Sequence, residues 1–376
     1  MCFEMDPRRL KPLIQLICYS KIISEEFTSS SQAKHILFLK SLLTELNWKI
    51  LQVNIDVLNI LQQNLQHPYK QVRQAIGECL SQVLVNISYL PKIHTSHAIE
   101  SFVSTIRSGP TIMEDNEDQN KKIQSQYRET ILHWIVCSIA NGDAYSIKYL
   151  FLPLLIEDIF IYQRDSHEEV AKLALHATAL ISQCYDKNLL IFDNVFKSAS
   201  NTNWHIRSAI LPFLQIYVFN HVFLLNQDQT SKAINIVVQL LEDSQVEVRE
   251  LARVALSSLI KSINFKQIDY LSNLFASSIG KKKDQQSIQK RHAGILGYCA
   301  LVEAYPYDLL EWMPPILTEL AKFINDPQPI KETVKKTFQE FWRTRVNDSW
   351  PLVQNKFTED QLYTIKELLI SPSYYA

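Results

Sequence analysis

The sequence predicts an all-α fold in which pairs of helices repeat along the chain. Glycine is scarce, at 6 of 376 residues, which argues against sandwiches, barrels and Gly-rich nucleotide-binding folds. Leu, Ile, Lys, Gln and Glu dominate, as expected for helices. One short turn pattern also recurs between amphipathic stretches, and such recurrence is typical of repeat proteins. Hydrophobic residues make up 47% of the chain, enough to form a large core.

The recurring pattern is a small polar residue, then an aliphatic residue five positions later, and then usually a basic residue. It occurs at His67-Pro68…Val72-Arg73, Asn201…Ile206-Arg207, Asp243-Ser244…Val248-Arg249 and Asn325-Asp326-Pro327…Ile330-Lys331, and Asp165-Ser166…Val170-Ala171 has Ala in the basic position. We expect the Asp and Asn side chains to cap the helix that follows. We also expect Arg207 and Arg249 to reach acidic or carbonyl groups of the neighbouring repeat.

This helix–turn–helix unit resembles the HEAT repeat. Asp165, Asn201 and Asp243 are each about one HEAT period apart, and Asn325 follows Asp243 by about two periods. A degenerate repeat near Asp284 accounts for the skipped position. The chain length corresponds to about eight or nine helix pairs. The sequence therefore predicts a HEAT/armadillo-type α-solenoid.

We predict four consecutive segments and one basic insertion. They are N-terminal HEAT-like helices at 1–110, an acidic loop at 111–125, C-terminal HEAT repeats at 126–370 and an extended tail at 371–376, with a basic loop at 280–290. The two loops are predicted because neither has helical apolar spacing. Loops of this length in a repeat array are usually functional or mobile.

Charge and cysteine usage limit the compartment and the partners. A net charge of -1 gives no overall field that would attract DNA or anionic lipid. Six cysteines without a CxxC pair indicate a reducing compartment. The start lacks a secretory signal, and the most apolar stretch, 149–162, is interrupted by Pro153, Glu157 and Asp158. We expect a soluble intracellular protein without membrane or direct DNA contacts.

Enzyme and metal signatures are missing from the sequence. It has no P-loop, GxGxxG, GxSxG or HExxH motif, so we predict no catalysis and no cofactor. The nearest metal-like spacing is His94 with His97, in a stretch without further cysteines or clustered carboxylates. Because structural zinc requires four convergent ligands, we predict no metal site.

The densest basic cluster consists of Lys281, Lys282, Lys283, Lys290 and Arg291. One interpretation is a nuclear-import signal or a docking strip for an anionic partner. The other is a solvated loop that lysines keep soluble. The residues alone leave both open.

Asn264-Phe265 follows the predicted helix that begins at Val248. An amide donor beside an aromatic ring suits the recognition of an acetylated lysine. In the alternative interpretation Asn264 caps the helix and Phe265 packs into the array.

The C-terminal tail has its own start and stop signals. Thr358-Glu359-Asp360-Gln361 has the form of a capping box, and Ser371-Pro372 ends the helix that the box opens. Tyr374, Tyr375 and Ala376 with its carboxylate then follow. They are either a frayed end or a short ligand whose aromatic rings a partner receives.

Several sequence blocks in the second half occur in the order found in one family. They are Asn203-Trp204-His205-Ile206-Arg207, Leu240-Leu241-Glu242-Asp243, Val246-Glu247-Val248-Arg249-Glu250, Lys290-Arg291-His292-Ala293-Gly294, Asn325-Asp326-Pro327-Gln328-Pro329-Ile330 and Ser371-Pro372-Ser373-Tyr374-Tyr375-Ala376. The chain resembles the C-terminal part of the large single-chain HEAT-repeat proteasome activators, the proteasome activator complex subunit 4 family. The first half is compatible but contributes no comparable block.

The resemblance implies an ATP-independent activator that caps the 20S core particle and opens the gate of its α-ring. The tail would enter a pocket between adjacent α-subunits. Ala376 would present its carboxylate to a pocket lysine, Tyr375 would shift the reference turn of the gate, and Tyr374 would pack as the hydrophobic member. These roles follow from the family and not from the composition.

The resemblance also implies a bromodomain-like segment, 198–290, that recognises acetylated histones through Asn264 and Phe265. It favours the nuclear-signal interpretation of the basic cluster and a location in nucleus and cytoplasm. Family members are several times longer and close into a dome, so we expect this chain to supply only the final arc. The alternative hypothesis for the function is a general HEAT scaffold, such as a transport receptor or a phosphatase regulatory subunit.

Overall fold

The structure is a computed structural model. Of the 376 residues it describes residue 12 and residues 27–46, 51–88, 92–110, 117–141, 147–185, 190–263, 268–280, 287–346 and 354–366. The chain divides into two compact units, Met1–Ser198 and Ala199–Ala376. The predicted segment boundaries stay predictions.

Unit 1 contains eight helices within its described ranges. They are α1 (Ser29–Leu46), α2 (Leu51–Gln63), α3 (Lys70–Ser88), α4 (Lys92–Ser108), α5 (Glu117–Ala140), α6 (Leu152–Tyr162), α7 (Glu168–Gln183) and α8 (Leu190–Ser198). A π-helical turn, Ile147–Phe151, precedes α6. The odd-numbered helices α1, α3, α5 and α7 pack on one another in succession. The even-numbered helices lie against them or each other, with α2 on α3 and α4, and α6 on α7 and α8.

Unit 2 repeats this arrangement. Its helices are α9 (Trp204–His221), α10 (Gln227–Leu240), α11 (Val246–Ser262), α12 (Ile268–Ile279), α13 (Ser287–Glu303), α14 (Met313–Ala321), α15 (Ile330–Phe341) and α16 (Glu359–Lys366). The helices α9, α11, α13 and α15 again pack in succession. Helix α10 packs on α9 and α11, α12 on α13, and α14 on α13 and α16. Packing of each helix on the second helix along the chain is the mark of stacked helix pairs. The predicted all-α HEAT-type fold is confirmed, whereas the number of helix pairs stays a prediction.

Two predicted loops are shorter than expected. Helix α5 begins at Glu117, so 117–125 of the predicted acidic loop is helical. Glu117 and Asp118 lie in the first turn of that helix, where negative charge is favourable beside exposed N–H groups. Helix α13 begins at Ser287, so the end of the predicted basic loop is helical too. The rest of both loops, 111–116 and 281–286, lies outside the described residues.

Two polar residues of the recurring turns accept hydrogen bonds before the helix begins, not within its first turn as predicted. Asp165 Oδ1 accepts a hydrogen bond from the His167 amide at 2.8 Å, and Asp243 Oδ1 accepts one from the Gln245 amide at 2.8 Å. His167 and Gln245 are themselves the residues that precede α7 and α11. The predicted helix caps are therefore wrong for Asp165 and Asp243, which close a short turn before the helix.

Close contact between helices requires glycine at three described places, Gly77, Gly294 and Gly297. A Cβ added to Gly77 in α3 would lie 2.9 Å from the Trp134 backbone nitrogen in α5. A Cβ on Gly297 in α13 would lie 2.5 Å from ring atoms of Phe275 in α12. Both distances are far below van der Waals contact. These glycines therefore let the neighbouring helix come close.

Arg207 joins two successive repeats of unit 2. Its Nε and Nη2 donate to the Asp243 carboxylate at 2.5 and 2.9 Å. Its Nη1 donates to the carbonyls of Asn201 and Thr202 in its own turn. Burial alone would raise the pKa of Asp243, but the hydrogen bonds from Arg207 and the Gln245 amide outweigh burial and lower it. The prediction that Arg207 spans the turn and reaches the next repeat is confirmed.

Arg249 makes the corresponding link to α13 through a histidine. Its Nη1 donates to the carbonyls of Asp243 and Ser244, and its Nε lies 3.2 Å from His292 Nδ1. Because Nδ1 accepts from Arg249, the proton is on Nε2, which lies 3.1 Å from Thr333 Oγ1 in α15. Burial lowers the pKa of His292 to about 4. A neutral histidine thus connects α11, α13 and α15.

The same device occurs in unit 1. Arg73 in α3 donates to the carbonyls of His67 and Pro68 and to Glu129 in α5 at 2.5 Å. Arg128 in α5 donates to Asp165, 37 residues further on, at 2.5 Å. Arg207 and Asp243 are 36 residues apart. A similar step along the chain thus joins arginine to aspartate in both units.

These links define the orientation of the stacked helices in unit 2. Arg207, Arg249 and Thr333 lie in the first turns of α9, α11 and α15, and His292 lies in the second turn of α13. Because the residues that contact one another all lie near the beginnings of their helices, the four helices run parallel. We call the side at which they begin the ladder edge, and the side at which they end the open edge.

Candidate functional site

The sequence-predicted tail and acetyl-lysine residues cannot be placed by geometry. Tyr374, Tyr375 and Ala376 lie outside the described residues, as do Asn264 and Phe265. Helix α11 ends at Ser262 and Ile263 follows as its last described residue. Both functional assignments stay predictions.

The basic cluster is described only at its end. Lys281, Lys282 and Lys283 lie outside the described residues, and Lys290 is exposed on α13. Arg291 is buried, and its Nε donates to the carbonyl of Ile279 at 3.3 Å. The guanidinium of Arg291 thus has a structural contact within unit 2. The nuclear signal stays a prediction, and Lys290 is its exposed described member.

The described part of the chain shows neither a metal-binding cluster nor a membrane-spanning helix. Within it, no three His, Cys, Asp or Glu side chains converge to hold a metal ion. The ring of His97 is exposed, and the side chain of His94 lies outside the described set. Among the described helices, none is both long and apolar enough to cross a membrane.

The tail leaves from a helix that is firmly attached to unit 2. Thr358 and Gln361 form the predicted capping box, in which each side chain bonds the backbone amide of the other residue at 3.3 and 3.0 Å. Ile365 in α16 is fully buried, and α16 packs on α14. Lys356 Nζ donates to the Leu309 carbonyl at 2.6 Å. Residues 367–376 therefore follow a fixed point of attachment.

The open edge carries the most exposed apolar side chain of the described chain. Phe223 is 98% exposed, and Phe219 and Leu224 beside it are 66% and 56% exposed. They lie at the end of α9 and in the turn before α10. We call these three residues the apolar patch. Phe213 and Tyr217, earlier in α9, are fully buried.

A cavity of about 530 Å³ also lies at the open edge. Charged side chains line much of it, among them Arg253, Glu303, Lys336, Glu340 and Arg345. Such a cluster raises the question whether an anion could bind there.

The cations of the cavity already have partners. Arg253 is paired with Glu303, and Lys336 with Glu332 at 2.9 Å. Arg345 donates to the Val302 carbonyl at 2.7 Å, and burial lowers its pKa to about 10. The lining is therefore a network of internal ion pairs and carbonyl contacts, which does not favour anion binding.

The apolar patch was not predicted from the sequence. An aromatic residue next to a helix end has the same local pattern whether it faces the core or the solvent. The one available signal is charge, because Asp228 is the single charged residue between Arg207 and Lys232. That stretch is still compatible with a buried helix.

Comparison with known proteins identifies the family. Residues 288–376 match the family model of the C-terminal region of proteasome activator complex subunit 4-like proteins. Proteasome activator complex subunit 4 of Homo sapiens is 32% identical over 415 aligned residues, covering 100% of this chain and 22% of that protein. Proteasome activator subunit 4 of Arabidopsis thaliana is 30% identical, covering 93% and 22%. The chain thus spans about a fifth of the length of these relatives.

A solved structure of the karyopherin Kap121p aligns with a TM-score of 0.46 and 12% identity, over 89% of this chain and 38% of that chain. This similarity is too low to carry an argument about function. The sequence relationship, in contrast, covers 100% of this chain, at 30% and 32% identity to proteasome activator complex subunit 4 of Xenopus laevis and Homo sapiens. The chain corresponds to the C-terminal region of the proteasome activator complex subunit 4 family.

Proposed function

We propose that this chain binds the 20S proteasome core particle and regulates opening of its α-ring gate without ATP. The observation that carries the proposal is the relationship of the whole chain to proteasome activators. The role is that of a regulator, with no catalytic residue of its own. Tyr374, Tyr375 and Ala376 are the docking residues, and the carboxylate of Ala376 is the charged group that the receiving pocket recognises.

The attachment of the tail supports this role. Two buried tyrosines remove at most about 300–500 Å² from water, worth roughly 8–12 kcal/mol before costs. Association and ordering consume about 4–15 kcal/mol. A packed α16 keeps the tail near the core particle once any other surface of the chain is bound, which raises its effective concentration. Tail and folded repeats must therefore act together.

The test compares three variants of the full chain for 20S binding and for stimulated peptide hydrolysis. We expect Tyr375→Ala and deletion of 374–376 to abolish stimulation and to weaken binding at least tenfold. Tyr363→Ala is the matched control, since Tyr363 is an 84% exposed tyrosine on α16. It should leave both readouts unchanged.

The same experiment separates the proposal from the scaffold alternative. A general HEAT scaffold would bind its partners equally well with and without residues 374–376. If Tyr375→Ala leaves 20S binding and peptide hydrolysis unchanged, the gate-opening role is wrong. Tyr375→Phe then distinguishes the contribution of the hydroxyl group from that of the ring.

A further inference from the structure

We infer that the apolar patch of Phe219, Phe223 and Leu224 is a second docking surface for the proteasome α-ring. The inference rests on the proposed function and adds the surface that the tail requires. The exposure, the rigidity, the charge and the area of the patch, all properties of described residues of unit 2, support this role.

Exposure of this size is costly for a surface that serves no partner. Phe223 is 98% exposed and Phe219 66% exposed. Contiguous exposed apolar side chains on a soluble protein mark sites of interaction. Aromatic side chains are also the residues that contribute most to the centres of protein interfaces.

The turn that presents the patch is ordered. The amides of Leu224 and Leu225 donate to the His221 carbonyl at 2.8 and 3.0 Å. Asn226 then begins α10 with a reciprocal capping box, in which Asn226 and Gln229 bond each other's backbone amides. Phe223 is thus held outward before any partner arrives. Such preorganisation reduces the entropy lost on binding.

The segment that carries the patch has little charge, which bears on the chemistry of the partner. Asp228 is the single charged residue between Arg207 and Lys232. Nucleic acid or an anionic headgroup would need cations at the contact, and a basic histone tail would need carboxylates. A neutral, apolar region on a folded protein fits this surface.

The area of the patch supplies interface area that the tail alone does not provide. From the exposed fractions, its three side chains offer roughly 400 Å² of apolar surface. The tail alone buries at most about 300–500 Å². Together they approach about 800 Å² per partner, the usual size of a stable protein interface. Either surface alone falls short of that size.

The test uses the full chain, purified 20S core particle and four proteins: wild type, Phe219→Ser/Phe223→Ser, the 374–376 deletion, and Tyr307→Ser. Tyr307 is an 80% exposed aromatic residue in the turn after α13, outside the patch, and is the control. We expect the double variant to raise the Kd for 20S at least tenfold, the control less than twofold. The thermal midpoint should be unchanged in both.

The outcomes separate this inference from the proposed function. If the double variant binds like wild type while the deletion loses binding, the patch inference is wrong and the tail role stands. If the double variant loses binding while the deletion retains it, the tail role is wrong and the patch stands. If wild type does not bind 20S, both are wrong.

Two other occupants are tested in the same series. Neutral phosphatidylcholine vesicles test membrane insertion of Phe223, and reduced, unfolded casein tests binding of an unfolded client. Loss of vesicle or casein binding in the double variant, with 20S binding unchanged, would assign the patch to that occupant and overturn the inference.

Discussion

The two edges of unit 2 are built from the same four helices but differ in chemistry. At the ladder edge, Arg207, Arg249 and His292 are buried or nearly so, and their polar hydrogens are directed to named partners. At the open edge, Phe223 and Tyr307 are largely exposed. The ladder edge thus holds repeat to repeat, while the open edge offers surface to other molecules.

The contrast shows why a repeat motif is a poor guide to function. The recurring turns that reveal the fold lie at the ladder edge, where their polar groups are consumed by internal contacts. The apolar patch has no recurring pattern. Every repeat must contact its neighbour, so those contacts recur, whereas a docking surface can be formed by a single repeat. Motif and binding surface lie at opposite ends of the same helices.

The largest effect should come from breaking the ladder at Arg207. In the Arg207→Ala variant, Asp243 stays buried with an uncompensated charge, and two carbonyls lose their donor. We expect the free energy of unfolding to fall by about 3–5 kcal/mol, measured by urea denaturation. Arg343→Ala is the control, since Arg343 is exposed and pairs with Glu340 within one helical turn. Equal losses in the two variants would contradict the structural role of the ladder.

The ladder should also respond to acid through His292. Its folded-state pKa of about 4 lies below the unfolded value of about 6.5. Between these pH values the unfolded chain binds a proton that the folded chain does not, so stability falls as the pH drops, by about 3 kcal/mol in total. Arg249 and Arg253 oppose the charge, whereas Glu250 Oε1, 3.9 Å from Nε2, favours it.

The measurement is urea denaturation at pH values from 7 to 4. His292→Asn keeps an acceptor for Arg249 and removes the titrating ring, so its stability should vary less across this window. Asp243 loses its contribution in the same direction, but below this pH window. Because its pKa is lowered, its contribution is present above its unfolded pKa of about 3.9 and is lost as pH falls further. A slope that persists between pH 6.5 and 4 in His292→Asn would assign the effect to other groups.

Between the two edges, packing depends on Gly297. In Gly297→Ala the new methyl group would overlap the Phe275 ring, and relief requires a shift of α12 against α13. We expect a loss of about 1–3 kcal/mol, seen as a lower thermal midpoint. Phe275→Leu in the same chain should restore part of the loss, because the smaller side chain vacates the space. Simple additivity of the two substitutions would show that they do not share the contact.

The open edge should give the smallest effect. Phe223→Ser removes a side chain that contributes little to the folded core, so we expect a change within about 0.5 kcal/mol. Phe213→Ser in the same helix, at a fully buried position, should instead cost at least about 3 kcal/mol. Thermal denaturation of the two variants side by side checks the comparison. A large loss for Phe223→Ser would mean that the patch supports the fold.

The sequence predicts the ladder well and its details less well. The reach of Arg207 could be predicted because it follows a turn signal at a fixed spacing, and hydrophobic period and turn chemistry agree there. Arg249 follows the same signal, but the prediction of an acidic or carbonyl partner in the neighbouring repeat is wrong, since its partner in α13 is His292. The Arg128–Asp165 pair was not predicted, because no turn signal precedes Arg128. Asp243 was predicted to cap α11 but instead closes the turn before it. Helix caps and such turns use the same residue types, so the sequence does not distinguish them.

Exposure was the property that the sequence left undetermined. Arg291 reads as part of a basic cluster, yet its side chain is buried against the Ile279 carbonyl. Phe223 has no sequence signal that distinguishes it from a core residue, yet it is almost fully exposed. Burial depends on which helices pack together over long separations, and local composition contains little of that information.

The main packing contacts along the stacked helices of unit 2 run between neighbours, from α9 to α11, α13 and α15. Mechanically, such a stack behaves as springs in series. A load applied at α9 must pass through α11 to reach α15, so each joint yields by a small fraction of the total extension. The stiffest joints are expected where charged side chains span them, between α9 and α11 and between α11 and α13. A pull on the tail would first separate α16 from α14, well before the joint at Arg207 and Asp243 is strained.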